Sequence, residues 1–486
     1  MKKNWTILLL ICCTILSQAK ILNVPAEYSK IQEAISAAQN GDTVLVSQGT
    51  YYENINFRGK NIVVTSQFIF SGDYNDIIST IIDGSQPANV DTASCVLIIS
   101  GENETAVLQG FTITGGKGTK WRDEHGAGNY VEGGGIIIAL SSPTIRYNII
   151  RDNEAIRKSA GITSAGGGGI RAGDDNPTIV NNIIMNNKAM YGGGIVLNYA
   201  PALVKNNVIY NNKVYQAVNN ADTFGGGGLW INGSDGQPVI ENNTIFGNSS
   251  SGTGSYNPAG RGGGILIWSI KPIIRNNIIW GNTQTKDKQL HAYQSTPTVE
   301  YNNIQDSFAG TENISTDPLF DTWNFYLTIG SPCIDAGNPA EEFNDVADNG
   351  NPNAAKSPSM GTLRNDIGAY GGQLAMAMGQ IITDVEMGMN NSLPGDFILF
   401  PNYPNPFNPT TVISYWLSVS SKVQLKIFDS LGSEISTLVD KEESAGYHES
   451  IWNASRYVSG VYIYQVSAID RYGKKYSDSK KMILLK

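Results

Sequence analysis

Between Gly133 and Asn303 the apolar residues come in short bursts separated by Gly, Pro and Asn, and the bursts repeat. One copy reads GGGIRAGDDNPTIVNNIIMNN, from Gly167 to Asn187. Gly135, Gly169, Gly194 and Gly264 are each followed eight residues later by Pro143, Pro177, Ala202 and Pro272. Five residues further on stand Asn148, Asn182, Asn207 and Asn277, joined from the remaining copies by Asn243 and Asn302, and after another five come Asn153, Asn187, Asn212, Asn248 and Asn282. Each copy holds three pieces, Gly-Ile-x-Ile, Pro-Thr-Ile-x and Asn-Ile-Ile-x, too short for helices and bounded by turn residues. Three strands per repeat and no helix predict a parallel β-helix whose coils stack at roughly 4.8 Å. Asn tolerates the left-handed backbone of tight turns, and equivalent amides can hydrogen-bond from coil to coil, so two Asn ladders are expected.

Outside the repeat the pattern changes twice. Ile31, Ala34, Ile35 and Ala38 form one apolar helix face behind a capping box at Ser29 and Gln32, a helix suited to covering the open first coil. After Leu393 apolar and polar residues alternate, through Thr411–Leu417 and Lys422–Phe428, which predicts a small antiparallel Ig-like β-sandwich. The expected fold is all-β: a right-handed parallel β-helix over 20–372 with a short N-terminal capping helix, a linker over 373–392, and the sandwich over 393–486. Within the solenoid, 316–372 is expected to be a terminal capping module. Residues 1–19 read as a secretory signal peptide, with Lys2 and Lys3 before an apolar run and Ser17-Gln18-Ala19 before the cut.

The helix, the Gly-Asp-Thr strand at Gly41 and the Gly-Thr-Tyr-Tyr-Glu turn at Gly49 resemble the opening of pectin-lyase-like right-handed β-helices, and the resemblance extends from Ile21 to about Tyr301. That family includes polysaccharide lyases, glycoside hydrolases, esterases and proteins without known activity. The runs Asp317-Pro318-Leu319-Phe320, Ser331-Pro332-x-Ile334-Asp335-Ala336-Gly337 and Asp366-Ile367-Gly368-Ala369 look like the terminal module of secreted bacterial β-helices. Phe400–Thr411, Val423–Gly432, Ser444–His448, Ser459–Tyr462 and Lys481–Lys486 closely resemble the C-terminal sorting domain of type IX secretion substrates, and also the Ig-like domain of the flagellar hook-cap protein. The sorting resemblance implies a partner in the secretion machinery and a secreted or outer cell-surface location in a Gram-negative-type bacterium. No later segment is long and apolar enough to span a membrane.

Charge is uneven. Residues 20–392 carry 22 Lys and Arg against 34 Asp and Glu, whereas 393–486 carry 10 against 9. An acidic solenoid argues against nucleic acid as a partner and against unaided capture of polyanions, though Ca²⁺ bridges could still hold an acidic polymer. Cys95 and Cys333 lie about eight coils apart, too far for a disulfide.

Insertions fall between the last Asn of one copy and the Gly run of the next, so stacking gathers them on one corner. There Lys120, Arg122 and Arg157 are candidate catalytic bases for lyase chemistry, as the family resemblance implies. Trp121, Asp123, Glu124, His125, Tyr191, Tyr215, Asp222 and Arg261 are candidate sugar-binding residues, because aromatic faces stack on pyranose rings and charged groups bond hydroxyls or carboxylates. Asp174-Asp175 is read as a turn cap facing another corner. Asp335, Asp345, Asp348 and Asp366 are the candidate Ca²⁺ ligands, Ca²⁺ being the one cofactor the reading admits. Two functions stand: a carbohydrate-active protein that binds and cleaves extracellular polysaccharide by lyase or hydrolase chemistry, and a non-catalytic surface adhesin or envelope scaffold using the same face.

Overall fold

The computed structural model describes residues 19–486 apart from 157–159, 216–223, 235, 253–258, 322–323, 377–396, 400–401, 403–404, 418–419, 444–445 and 471–473. The expected signal peptide and most of the expected linker thus lie outside the described residues. The chain divides into two compact units, Met1–Gly379 and Gln380–Lys486.

The first unit is a parallel β-helix. One coil runs Ile136–Ala139, Thr144–Arg146, Ile149–Arg151, then the short Glu154–Ala155, and the next begins again at Ile170–Gly173. Equivalent strands pair in register from coil to coil: Ile136 with Ile170, Ile170 with Ile195, Ile195 with Leu229 and Leu229 with Ile265. Three long sheets of eight, ten and nine strands result, here called the first, second and third faces, with a five-stranded strip beside the inserted corner. Alternate side chains point inward, so Ile170, Ala172, Ile179 and Ile184 of one coil lie on Ile195, Leu197, Val204 and Ile209 of the next, all fully buried.

Both Asn ladders form. Asn148, Asn182, Asn207, Asn243, Asn277 and Asn302 each donate from Nδ2 to the Oδ1 of the next at 2.9–3.1 Å, and Asn313 ends the series. The second runs from Asn153 to Asn282 and ends on Gln289. The two tasks expected of one Asn are divided between neighbours. Asn181, Asn206, Asn242 and Asn276 hold the left-handed backbone, with φ of 50–57°, and the residue after each makes the ladder bond.

The helix over Ile31–Ala37 buries Ile31, Ala34 and Ile35 as expected, but the capping box does not form. Ser29 bonds Glu33, Gln32 bonds the backbone of Asn56, and the first helical N–H groups of Ile31 and Gln32 are taken by the Glu53 carboxylate at 2.9 and 3.0 Å. A residue of the coil beneath replaces the local cap, tying helix to solenoid.

Past Ile304 the module over 316–372 runs back along the flank of the solenoid. The left-handed asparagines hold it: Asn276 accepts from the backbone of Asn338, Asn242 donates to Asp366 O, and Asn206 donates to Ala369 O and Gly371 O. Ile278, Leu327, Cys333 and Ile367 close the apolar seam. Cys95 and Cys333 are free and buried.

The second unit is a sandwich of antiparallel sheets, one from Phe397–Leu399, Thr410–Leu417 and Gly446–Asn453, the other from Ser421–Phe428, Glu434–Glu443, Gly460–Asp470 and Lys475–Leu484. Tyr415, Leu425, Tyr464 and Met482 lie in its core.

Candidate functional site

The first insertion folds as a hairpin, Gly118–Arg122 against Asn129–Glu132, in antiparallel register. Its tip closes because Asp123 Oδ1 accepts the N–H groups of His125 and Ala127, both at 3.0 Å. The hairpin lies over the outer side of the first face, and what pins it there is Arg171. This side chain, in the outward position of Ile170–Gly173, is fully buried. Its Nη2 is 2.7 Å from Glu124 Oε2 and its Nε 2.8 Å from Glu132 Oε2, while Nη1 donates to Ile138 O at 3.2 Å. Gly173 makes room for it, since a Cβ there would stand 2.5 Å from the guanidinium carbon. Burial opposes charge on Glu124, yet the Arg171 cation and the hydrogen bonds from Arg171 and Trp121 hold its carboxyl below the usual range. Burial pushes Glu132 the other way, upward, and its carboxylate accepts the Tyr191 hydroxyl.

Between hairpin and first face runs a groove with two adjoining sections of about 510 and 350 Å³, sharing His125 and Tyr199. The larger is lined with aromatics: Tyr191 lies 6.4 Å from Tyr130 and 4.9 Å from Trp230, and Trp230 lies 6.3 Å from Trp268, centroid to centroid. Asn198, Asn232 and Asp123 add polar groups, with Asn198 Nδ2 at 3.4 Å from Asp123 Oδ2 and Asn232 Nδ2 donating to Asn198 Oδ1 at 2.9 Å. In the smaller section His125 Nε2 stands 3.0 Å from Asp174 Oδ1. Burial, then the nearby charge of Glu124, pushes the Asp174 carboxyl up to about 6.

The candidate residues therefore separate. Asp123, His125 and Tyr191 line the groove, and Trp121 and Glu124 stand behind it, joined at 2.7 Å. Lys120 and Arg122 are exposed on the hairpin and line neither section. Tyr215 donates instead to Glu154 at 2.7 Å, and Arg261 lies 3.6 Å from Asp287, which also meets His291. Arg157 and Asp222 lie outside the described residues. Asp174, expected at another corner, sits in the groove because the hairpin brings His125 to it. Trp230, Trp268, Asn198, Asn232 and Arg171 were not anticipated. They occupy the outward positions of the Gly-Ile-x-Ile strands, and reading those positions down the copies would have found them.

The four candidate Ca²⁺ ligands do not make a cage. Asp345 accepts N–H groups of Asp366 and Gly372, Asp366 those of Asp335 and Met360, Asp335 binds Thr362, and Asp348 caps its own turn at Gly350. Oxygens facing N–H donors do not suit a cation, and among the described residues no group of three or more His, Cys, Asp or Glu is placed to hold a metal ion.

Fold and groove define a class, a right-handed parallel β-helix protein with an aromatic, carboxylate-bearing groove on one face. Residues 29–245 match the family model of the right handed beta helix region, and 402–484 that of the secretion system C-terminal sorting domain. The sorting domain makes this a secreted or outer-surface protein of a Gram-negative-type bacterium with the secretion machinery as partner. Comparison with curated proteins finds no match. Among solved structures, the crystal structure of CopC from Methylosinus trichosporium OB3b aligns with 11% identity and a TM-score of 0.15, over 18% of this chain and 92% of that one, too weak a likeness to bear on fold or function. Among the described residues no helix is long and apolar enough to cross a membrane.

Proposed function

We propose that the protein binds an extracellular polysaccharide in the groove of the first face. The observation that carries this is the half-buried pair Tyr130 and Trp268, backed by the buried Tyr191 and Trp230, beside Asn198, Asn232 and Asp123. Aromatic faces stack on sugar rings while amides and carboxylates take hydroxyls, and successive coils repeat both along an open groove. A polymer outside the cell is the ligand that fits an exported protein, and the pectin-lyase-like resemblance points the same way. Affinity electrophoresis in gels containing plant, algal or bacterial polysaccharides, with and without Ca²⁺, tests it. At least one polymer should retard the protein, and Trp268→Ala should remove most of the retardation. If none retards it, the reading fails.

The adhesin reading uses the same groove for attachment alone. It is favoured by the exposed positions of Lys120 and Arg122, which line neither section of the groove, so that among the described residues neither of these two candidate bases reaches it.

A further inference from the structure

The charged side chains lining the groove are Asp123, Glu132, Asp174 and Asp175, with His125 between them. Among the described residues no Lys or Arg lines either section, and Arg171 beneath is committed to Glu124 and Glu132. Without a bridging cation, a chain with a carboxylate on each sugar would meet a wall of its own sign. The groove suits uncharged or amino-sugar chains.

His125 is the group both sections share. Its ring is about one-third exposed, with Nε2 held by Asp174 at 3.0 Å, which leaves Nδ1 to serve a ligand. Its backbone N–H is bound by Asp123, which accepts three hydrogen bonds, from His125, Ala127 and Asn198. Asp174 thus holds the imidazole itself, and Asp123 holds the backbone of the same residue, which fixes the ring beside the Asp123 carboxylate in the turn. The second oxygen of Asp174 is buried, and the carboxylate faces the His125 ring and the neighbouring Glu124 rather than solvent.

We propose that this end of the groove hydrolyses glycosidic bonds of uncharged or amino-sugar polysaccharides, with His125 as general acid, Asp123 as general base and Asp174 as the residue that positions His125. The proposal rests on the glycan reading above. The imidazolium gives its Nδ1 proton to the glycosidic oxygen as the bond from that oxygen to C1 breaks, and the electron pair leaves on the oxygen. Water adds at C1 and passes a proton to Asp123, which returns it to His125 through solvent. One water is consumed, and one new reducing end appears per bond cut.

The test incubates the full chain with β-glucan, xylan, mannan and chitosan, and with polygalacturonate and alginate, measuring reducing ends, unsaturated ends and gel retardation on the same samples. Reducing ends are expected from an uncharged or amino-sugar polymer, with none from the uronates. His125→Ala and Asp123→Asn should each lower the rate at least about 100-fold, far more than any accompanying loss of retardation. Asp174→Asn should lower it less and shift the pH-rate profile, which a merely structural role would not do. Melting temperatures near that of the parent exclude misfolding, and His125→Gln serves if His125→Ala fails to fold. Retardation without product overturns the hydrolytic site and leaves the binding reading standing. Cleavage of a uronate overturns the substrate class, unchanged rates in both His125 variants overturn the residue assignment, and absence of any retardation removes the binding reading itself.

Discussion

The asparagine turn and the groove face are two columns of the same stack, and they use their polar groups in opposite ways. In the turn the same side chain recurs, and Asn182, Asn207 and Asn243 give both amide hydrogens and an oxygen to backbone and ladder, with nothing left over. On the groove face the outward columns read Ile137, Arg171, Val196, Trp230 and Leu266, and beside them Ala139, Gly173, Asn198, Asn232 and Trp268, so beyond the Asn232–Asn198 bond no ladder runs along them and the groups face outward or one another. Identity along a solenoid holds it together, and variation along it makes a surface that recognises something else.

The difference breaks most visibly at Arg171, where the groove face depends on a fully buried cation and its two carboxylates. Arg171→Met leaves Glu124 and Glu132 uncompensated under the hairpin and should cost about 3–5 kcal/mol, read by urea denaturation. Adding Glu124→Gln and Glu132→Gln should recover part of the loss, and no recovery would mean that packing rather than charge holds the hairpin. Next in size, Asn207→Ala should cost about 1–3 kcal/mol, since it takes the acceptor from the Asn182 backbone N–H and side-chain amide and the donor from Ile179 O and Lys205 O inside the stack.

A smaller effect belongs to the returning module. Asp345 and Asp366 are buried, and burial with neighbouring carboxylate charge raises them to about 8 and about 7. The folded state therefore holds protons that the unfolded chain has released, and stability should fall as pH rises from the ordinary carboxylate range through neutrality. Melting should be lower at about pH 8.5 than at about pH 5.5. Asp345→Asn with Asp366→Asn should flatten that slope, and an unchanged slope would place the titrating groups elsewhere.

How much of this was legible depended on distance along the chain. The turns of Asn182 and Asn207 repeat at fixed steps from Gly169 and Gly194, so ladders, coil order and core followed from spacing alone. The groove did not, because its walls meet across contacts of 47 residues between Glu124 and Arg171 and 75 between Asp123 and Asn198. Lys120 and His125 sit close in sequence, yet one is exposed on the hairpin strand and the other lies in the groove, a division set by the Asp123 turn. The Glu53 cap and the return of 316–372 along the flank likewise join distant segments that no periodicity relates.

Stability should reside in the repeated column and recognition in the varied one. This division is tested most directly by measuring Trp268→Ala and Asn207→Ala side by side, by thermal melting and by affinity electrophoresis against whichever polysaccharide retards the parent. Trp268→Ala should lose retardation at near-parental melting temperature, and Asn207→Ala should melt earlier yet bind like the parent while folded. If both variants lose stability and binding together, or if Trp268→Ala binds unchanged, the division of labour between the two columns is contradicted.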